Sequence, residues 1–204
     1  IAVHCQEIDS KKYRQLKQLN QTFVVLFHKP NCYACEQFKP SYNNAKEKLQ
    51  GMVELTTMNC DLDDNKYACS NNEITSLPTI KIFNHNGKRR APITYSGQRT
   101  SADLVYWVKN NERKPFTQVG TVTKLNKELQ NLDQFLLILT DSKVGPTTYK
   151  ISRVYKGKTF VKTDFKSQDL QNLKSEVKQV ANNETSIIFC LKSKCNLFNG
   201  KKNV

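Results

Sequence analysis

No apolar run in this 204-residue chain approaches the ~18 consecutive residues of a membrane-spanning helix, so no transmembrane segment is expected. Ile1 to Ser10 lacks the basic start and apolar block of a signal peptide. The chain opens on a residue other than Met, which fits either removal of a leader or a sequence that is part of a longer one. Acidic residues are scarce: 18 Asp+Glu stand against 32 Lys+Arg, a formal net charge of +14. The excess is +6 over residues 1–114 and +8 over 115–204, so it is spread along both halves and not held in one arm. Such a field draws acidic proteins, anionic membranes and nucleic acid alike. No nucleic-acid-binding motif accompanies it, so no nucleic acid partner is expected. The charge reads first as a solvated Lys/Asn-rich surface and second as a surface for an acidic protein partner. Charged residues are 25% and aromatics 9% of the chain, a globular composition. The length suits one large domain or two small ones.

The seven cysteines are Cys5, Cys32, Cys35, Cys60, Cys69, Cys190 and Cys195. Six fall into three close pairs, and closeness is a precondition for local disulfides. Zinc is the competing use of such pairs. It would want two close pairs about 15–20 residues apart, and here the second member of each candidate pair lies too far off, so no metal is expected. Asn20-Gln21-Thr22 and Asn183-Glu184-Thr185 are N-glycosylation acceptors, in keeping with an oxidising, secretory setting.

Along the chain, Ala2 to Glu7 reads as a short strand. Asp9 and Ser10 cap a helix that carries Tyr13, Leu16 and Leu19 on one face. Thr22 to His28 is a β-branched and aromatic run, the mark of a strand buried on both faces. It stops at Pro30; Asn31 is a plausible N-cap, and Cys32 to about Leu49 reads as a helix kinked at Pro40. Val53 to Asn59 is a strand, Asp63 to Asn71 a helix, and Pro78 to Phe83 a strand. Asn86-Gly87 signals a hairpin into a return strand, Arg90 to Tyr95. A helix over Ser101 to Asn110 follows. Strands separated by helices imply a parallel core, and the hairpin adds an antiparallel edge.

A domain boundary fits Asn110 to Pro115. Beyond it, Thr123 to Leu132 reads as a helix and Phe135 to Thr140 as a buried strand. Gly145-Pro146 reads as a turn, Ile151 to Val161 as a strand around Gly157, Ser167 to Val180 as an amphipathic helix, and Ser186 to Phe198 as a hairpin. This outline repeats the first half without a Cys-x-x-Cys after its buried strand.

Cys32-Tyr33-Ala34-Cys35 stands where a buried strand hands over to a helix. A helix N-terminus favours the thiolate, the reactive form of cysteine, through its dipole and free N–H groups. The first cysteine is then placed to attack a disulfide. The second, one turn below, is placed to resolve the mixed disulfide.

The stretch Phe27-His28-Lys29-Pro30-Asn31-Cys32-Tyr33-Ala34-Cys35, with Phe38 and Pro40 after it, resembles the active-site stretch of protein disulfide isomerase domains. Leu77-Pro78-Thr79-Ile80-Lys81-Ile82-Phe83 resembles that family's cis-proline strand, and Tyr95-Ser96-Gly97-Gln98-Arg99 leading to Trp107 its final strand and helix. The resemblance implies a cis Pro78 beside Cys32, with the backbone of Leu77 open to a substrate strand. By itself, Pro78 would be a strand-initiating proline. It further implies that Arg99 swings toward Cys35 and helps it ionise; by itself, Arg99 is an exposed loop arginine. Asn31, Tyr33 and Ala34 complete the implied substrate-binding set.

Cys60 and Cys69 resemble cysteine pairs of some disulfide isomerase domains and of the first thioredoxin domain of quiescin sulfhydryl oxidases, which implies a structural disulfide. Cys190 and Cys195 are placed to bridge the last hairpin in the same way. Cys5 is left over.

The chain departs from the family at three points. Asn31 stands for the usual Trp, Tyr33-Ala34 for Gly-His, and Leu26 for the buried Glu that relays protons. Without the His, the Cys32 thiol should ionise less readily and the disulfide should be less oxidising. His28 and Lys29 are the nearest substitutes, and both read as solvated.

The expected fold is α/β: two thioredoxin-like domains in tandem, each a central mixed sheet flanked by helices. Residues 1–112 form the redox domain; residues 116–204 form a second, redox-inactive domain, shortened at its end. The expected function is a thiol–disulfide oxidoreductase or isomerase acting on protein thiols and disulfides, with no cofactor beyond Cys32–Cys35. It is expected in the secretory pathway, as an endoplasmic reticulum lumen or secreted protein, although no Lys-Asp-Glu-Leu-type ending is present. A non-catalytic binding or chaperone module, and the two-domain front end of a sulfhydryl oxidase, are the alternatives.

Overall fold

The apolar run Phe23–His28 is buried at all six positions, because strands flank it on both edges and helices cover both faces. The computed structural model describes residues 5–19, 21–85, 91–141, 144–155, 157–179, 181, 186–192 and 194–198. The chain divides into two units between Arg113 and Lys114.

In the first unit the elements are β1 (Gln6–Glu7), α1 (Ser10–Gln18), β2 (Phe23–His28), α2 (Tyr33–Leu49), β3 (Glu54–Asn59), α3 (Asp63–Asn71), β4 (Thr79–Phe83), β5 (Ile93–Thr94) and α4 (Ser101–Asn111). The sheet order is β1-β3-β2-β4-β5. The first three strands are parallel, β4 is antiparallel to β2, and β5 is antiparallel to β4. On one face Phe23, Val25 and Phe27 meet Tyr13 and Leu16 of α1, Ala68 and Cys69 of α3, and Phe83. Phe23 stacks on Phe83 at 4.9 Å and Tyr13 meets Phe83 edge-on at 5.4 Å. Each such pair adds about 0.5–1.5 kcal/mol beyond the area buried. On the α2 side, the buried Tyr42 hydroxyl donates to the Thr56 carbonyl at 2.8 Å, fastening α2 to β3.

The second unit comprises β6 (Thr117–Val119), α5 (Val122–Leu129), β7 (Gln134–Leu139), α6 (Pro146–Val154), β8 (Lys158–Lys162), a 3-10 helix (Ser167–Asn172), α7 (Ser175–Lys178), β9 (Ser186–Leu191) and β10 (Lys194–Leu197). Its order β10-β9-β7-β8-β6 repeats the first sheet strand for strand, with β6, β8 and β7 parallel, β9 antiparallel to β7 and β10 antiparallel to β9. Val122, Leu125 and Leu129 of α5 and Leu137 and Leu139 of β7 form its core with Phe160 and Ile188. Both units are therefore thioredoxin-like α/β folds with mixed five-stranded sheets, in tandem.

Several local expectations are corrected. Helix α1 ends at Gln18, so Leu19 lies beyond it, exposed. Pro146 opens a helix where a turn and a strand were expected, because the first helical turn does not use the N–H that proline lacks. The strand after it is confined to Lys158–Lys162. The helix expected over 167–180 is broken: Leu173 is extended (ψ 154°) and Lys174 is non-helical (ψ 145°) between the 3-10 helix and α7. Strand β6 was not foreseen. Ala2, Asn20, Asn86-Gly87 and Asn183 lie outside the described residues.

Candidate active site

The end of β2 and the start of α2 place the two cysteines. Cys32, not Asn31, is the N-cap: its backbone is extended (φ −94°, ψ 100°) and its Sγ accepts the Cys35 N–H at 3.2 Å. Asn31 instead takes a left-handed turn (φ 54°), which Asn tolerates better than most residues. The Cys32 carbonyl accepts from the N–H groups of Cys35 and Glu36, both at 3.0 Å, which starts the helix. Cys32 and Cys35 are disulfide-bonded with Cα atoms 5.2 Å apart. Their exposure is unequal: Cys32 is half-buried and Cys35 is fully buried at 0%. Tyr33, between them, is 79% exposed.

The Leu77–Pro78 peptide is cis. Leu77 precedes β4, and its backbone makes no hydrogen bond among the described residues. Pro78 and Arg99 line one cavity of about 200 Å³ with Phe38, Ile80, Tyr95, Ser96 and Gly97. Phe38 lies one helical turn beyond Cys35. Arg99 is exposed and makes no ion pair among the described residues.

His28 is not solvated as expected. It is buried at the end of β2, with Nε2 3.6 Å from Glu7 Oε2. Burial pushes its pKa below the ordinary histidine value, against the opposing pull of the Glu7 carboxylate. Lys29 is exposed.

A model of the thioredoxin family matches residues 4–110. The chain belongs to the thioredoxin family. It is 28% identical over 173 residues to the protein disulfide-isomerase MPD1 of Saccharomyces cerevisiae, covering 76% of this chain and 54% of that one. It is 27% identical over 146 residues to a mitochondrial thioredoxin domain-containing protein of Schizosaccharomyces pombe, covering 69% and 40%. The chain is thus a distant relative of protein disulfide isomerases and spans about half the length, or less, of these relatives. A crystal structure of ERdj5 matches with a TM-score of 0.64 at 15% identity, covering 96% of this chain and 27% of that one, a likeness of fold alone.

Within this thioredoxin-family unit, Cys60 and Cys69 are disulfide-bonded and join the end of β3 to α3, with Cα atoms 5.9 Å apart. The Cys60 N–H also donates to the His28 carbonyl at 2.8 Å, so the tie reaches the strand that leads into the site. In the second unit Cys190 and Cys195 face one another across β9 and β10 and are bonded, with Cα atoms 4.1 Å apart. Cys5 is free and half-buried, and burial pushes its thiol up to about 11. Among the described residues no helix is long and apolar enough to cross a membrane. Sequence reasoning missed Asp103, which binds the loop carrying Arg99. Its signal was present in Thr100-x-x-Asp103, a helix-capping pattern.

Proposed function

We propose that the protein is a thiol–disulfide oxidoreductase for protein substrates, in which Cys32 is the exchanging sulfur and Cys35 the resolving one. The unequal exposure of two bonded cysteines at a helix N-terminus supports this reading above all. With the disulfide formed, a substrate thiolate attacks Cys32 Sγ. The Cys32–Cys35 bond breaks, and its electron pair stays on Cys35. A second substrate thiolate then attacks the substrate sulfur of the mixed disulfide and displaces the Cys32 thiolate. The two enzyme thiolates take up the protons lost by the substrate thiols, and two electrons have passed from substrate to enzyme. Run backward, the same steps reduce a substrate disulfide.

The first turn of the 17-residue helix α2 favours the Cys32 thiolate. Cys35 has no such access to water, and a buried thiolate is costly without a nearby cation. Arg99, without an ion pair among the described residues and in the cavity with Phe38, is assigned to offset that cost. The open Leu77 backbone and cis Pro78 are assigned to hold an extended substrate segment beside the exposed Tyr33, with Asn31 and Ala34 completing the rim.

The second unit has no Cys-x-x-Cys after β7, and we assign it to holding a client or an acidic partner protein. The two disulfides outside the active site support an oxidising compartment of the secretory pathway.

Insulin reduction by a dithiol, run with the whole chain and with Cys32→Ser, tests the activity. The wild type should accelerate precipitation of the insulin B chain and the variant should not. Equal rates with and without either protein would replace this reading with a non-catalytic binding module.

A further inference from the structure

We propose that Tyr95 and Asp103 are positioning residues that fix the root of Arg99 at the mouth of the Pro78 cavity, an inference that rests on the role assigned to Arg99 above. Arg99 sits in the loop between β5 and α4, and its charge is on a long side chain with no ion pair of its own among the described residues. A cation held this way serves a buried thiolate only if its backbone is already in place, because a loop residue ordered at the moment of reaction loses conformational entropy there.

The loop is tied from three sides. Asp103 Oδ2 accepts the Gln98 N–H at 3.0 Å, on the residue just before Arg99. The same oxygen accepts the Tyr95 hydroxyl at 2.5 Å, and that hydroxyl also lies against the Gln98 carbonyl. On the other side of Arg99, Thr100 Oγ1 accepts the Asp103 N–H at 3.2 Å and caps α4.

Tyr95 extends the tie to the substrate side. Its N–H donates to the Ile80 carbonyl at 2.9 Å, in the strand that starts after Pro78, and its ring rests on Trp107 at 5.1 Å. Gly97 makes the arrangement feasible. A Cβ there would lie 2.1 Å from Asp103 Oδ2 and 2.8 Å from the Tyr95 ring, closer than any real contact. Burial and the Asp103 carboxylate both push the Tyr95 pKa upward, so the hydroxyl keeps its proton and remains a donor. The loop backbone is therefore pinned while the guanidinium is left free to move.

The cap alone would also stabilise α4, so the test must read more than stability. Resolution of a mixed disulfide formed between reduced protein and a glutathionylated peptide would be followed in single turnover across pH 5–9. The proteins are wild type, Tyr95→Phe, Asp103→Asn, Arg99→Ala, and Tyr95→Phe combined with Arg99→Ala. The expected result is a slowing of roughly three- to tenfold in Tyr95→Phe and Asp103→Asn, the scale of one lost hydrogen bond. Their pH profiles should move to higher pH, as that of Arg99→Ala does, and the double variant should be no slower than Arg99→Ala.

A slowed Arg99→Ala beside unchanged Tyr95→Phe and Asp103→Asn profiles would overturn the positioning role alone. An Arg99→Ala indistinguishable from wild type would overturn the role of Arg99 and this inference with it. Tyr95→Phe keeps the ring on Trp107 and the Thr100 cap, so it carries the test if Asp103→Asn folds poorly.

Discussion

Replacing Cys60 and Cys69 together by Ala should weaken the first unit by an amount set by the length of the loop they close. The bond spans a sequence separation of 9. In the chain-entropy model, freeing so short a loop returns about 3 kcal/mol of conformational entropy to the unfolded chain. Two native ties remain without the bond: the Cys60 N–H to the His28 carbonyl at 2.8 Å, and Asn65 Nδ2 to the Asn59 carbonyl at 2.9 Å. The ends of the loop would therefore stay near their present places, and the loss should fall mainly on the unfolded state. Cys69 is also buried against Tyr13 and Phe83 in the aromatic cluster, so the double Ala variant loses some packing in addition. The chain has one tryptophan, Trp107 in α4, and its fluorescence reports unfolding of the first unit separately from the second. In urea, with a slope of about 1–3 kcal/mol per molar, the midpoint should drop by about 1–3 M. A midpoint within about 0.3 M of wild type would refute the reasoning, since such a shift corresponds to less than about 1 kcal/mol.

Three further outcomes are expected. Equilibration with glutathione should give the Cys32–Cys35 pair a potential more negative than about −180 mV, the typical isomerase value, because no His lies between the cysteines; Ala34→His should raise it, and a wild-type value at or above that figure would contradict the account. His28 has a folded-state pKa below its unfolded value near 6.5, so its neutral form favours the native state, and stability should fall as pH drops below about 6.5 toward the folded pKa. Urea midpoints at pH 7.5 and 5 should diverge less in His28→Gln than in wild type, and equal divergence would remove His28 as the cause. Cys5, with a thiol near 11, should react with iodoacetamide at pH 8 at least about tenfold more slowly than a free peptide cysteine, which mass spectrometry of the labelled chain would show.

The features legible in the sequence were those fixed by short-range pattern. The run Phe23–His28 announced a strand buried on both faces, and the cysteines that follow it fell at a helix start. The strand–helix alternation pointed to the parallel core and antiparallel edge of the first sheet, and the final hairpin pairs Cys190 with Cys195 in register. What stayed hidden depends on contacts distant in sequence or on choices between equal local signals. Pro146 is as acceptable at the first turn of a helix as in a β-turn, and burial of Tyr149 and Ser152 three residues apart decides for the helix. The amphipathic pattern over 167–180 marks which face is buried, not that the helix is continuous, and the extended Leu173 satisfies the same pattern. Thr117–Val119 buries only Val119, too little for a strand signal. His28 read as solvated because nothing local shows that β1 brings Glu7 beside it. Asp103 went unnoticed because its bonds to Tyr95 and Gln98 need the loop to fold back on α4.

The central claim, that Cys32 is the sulfur that exchanges with substrate, is tested most directly by trapping. Reduced Cys35→Ser would be incubated with a peptide containing one disulfide, quenched with acid and mapped by mass spectrometry. The account predicts a mixed disulfide on Cys32 that persists in Cys35→Ser and is resolved within the mixing time by wild type. No adduct, or one carried by Cys5, would contradict it.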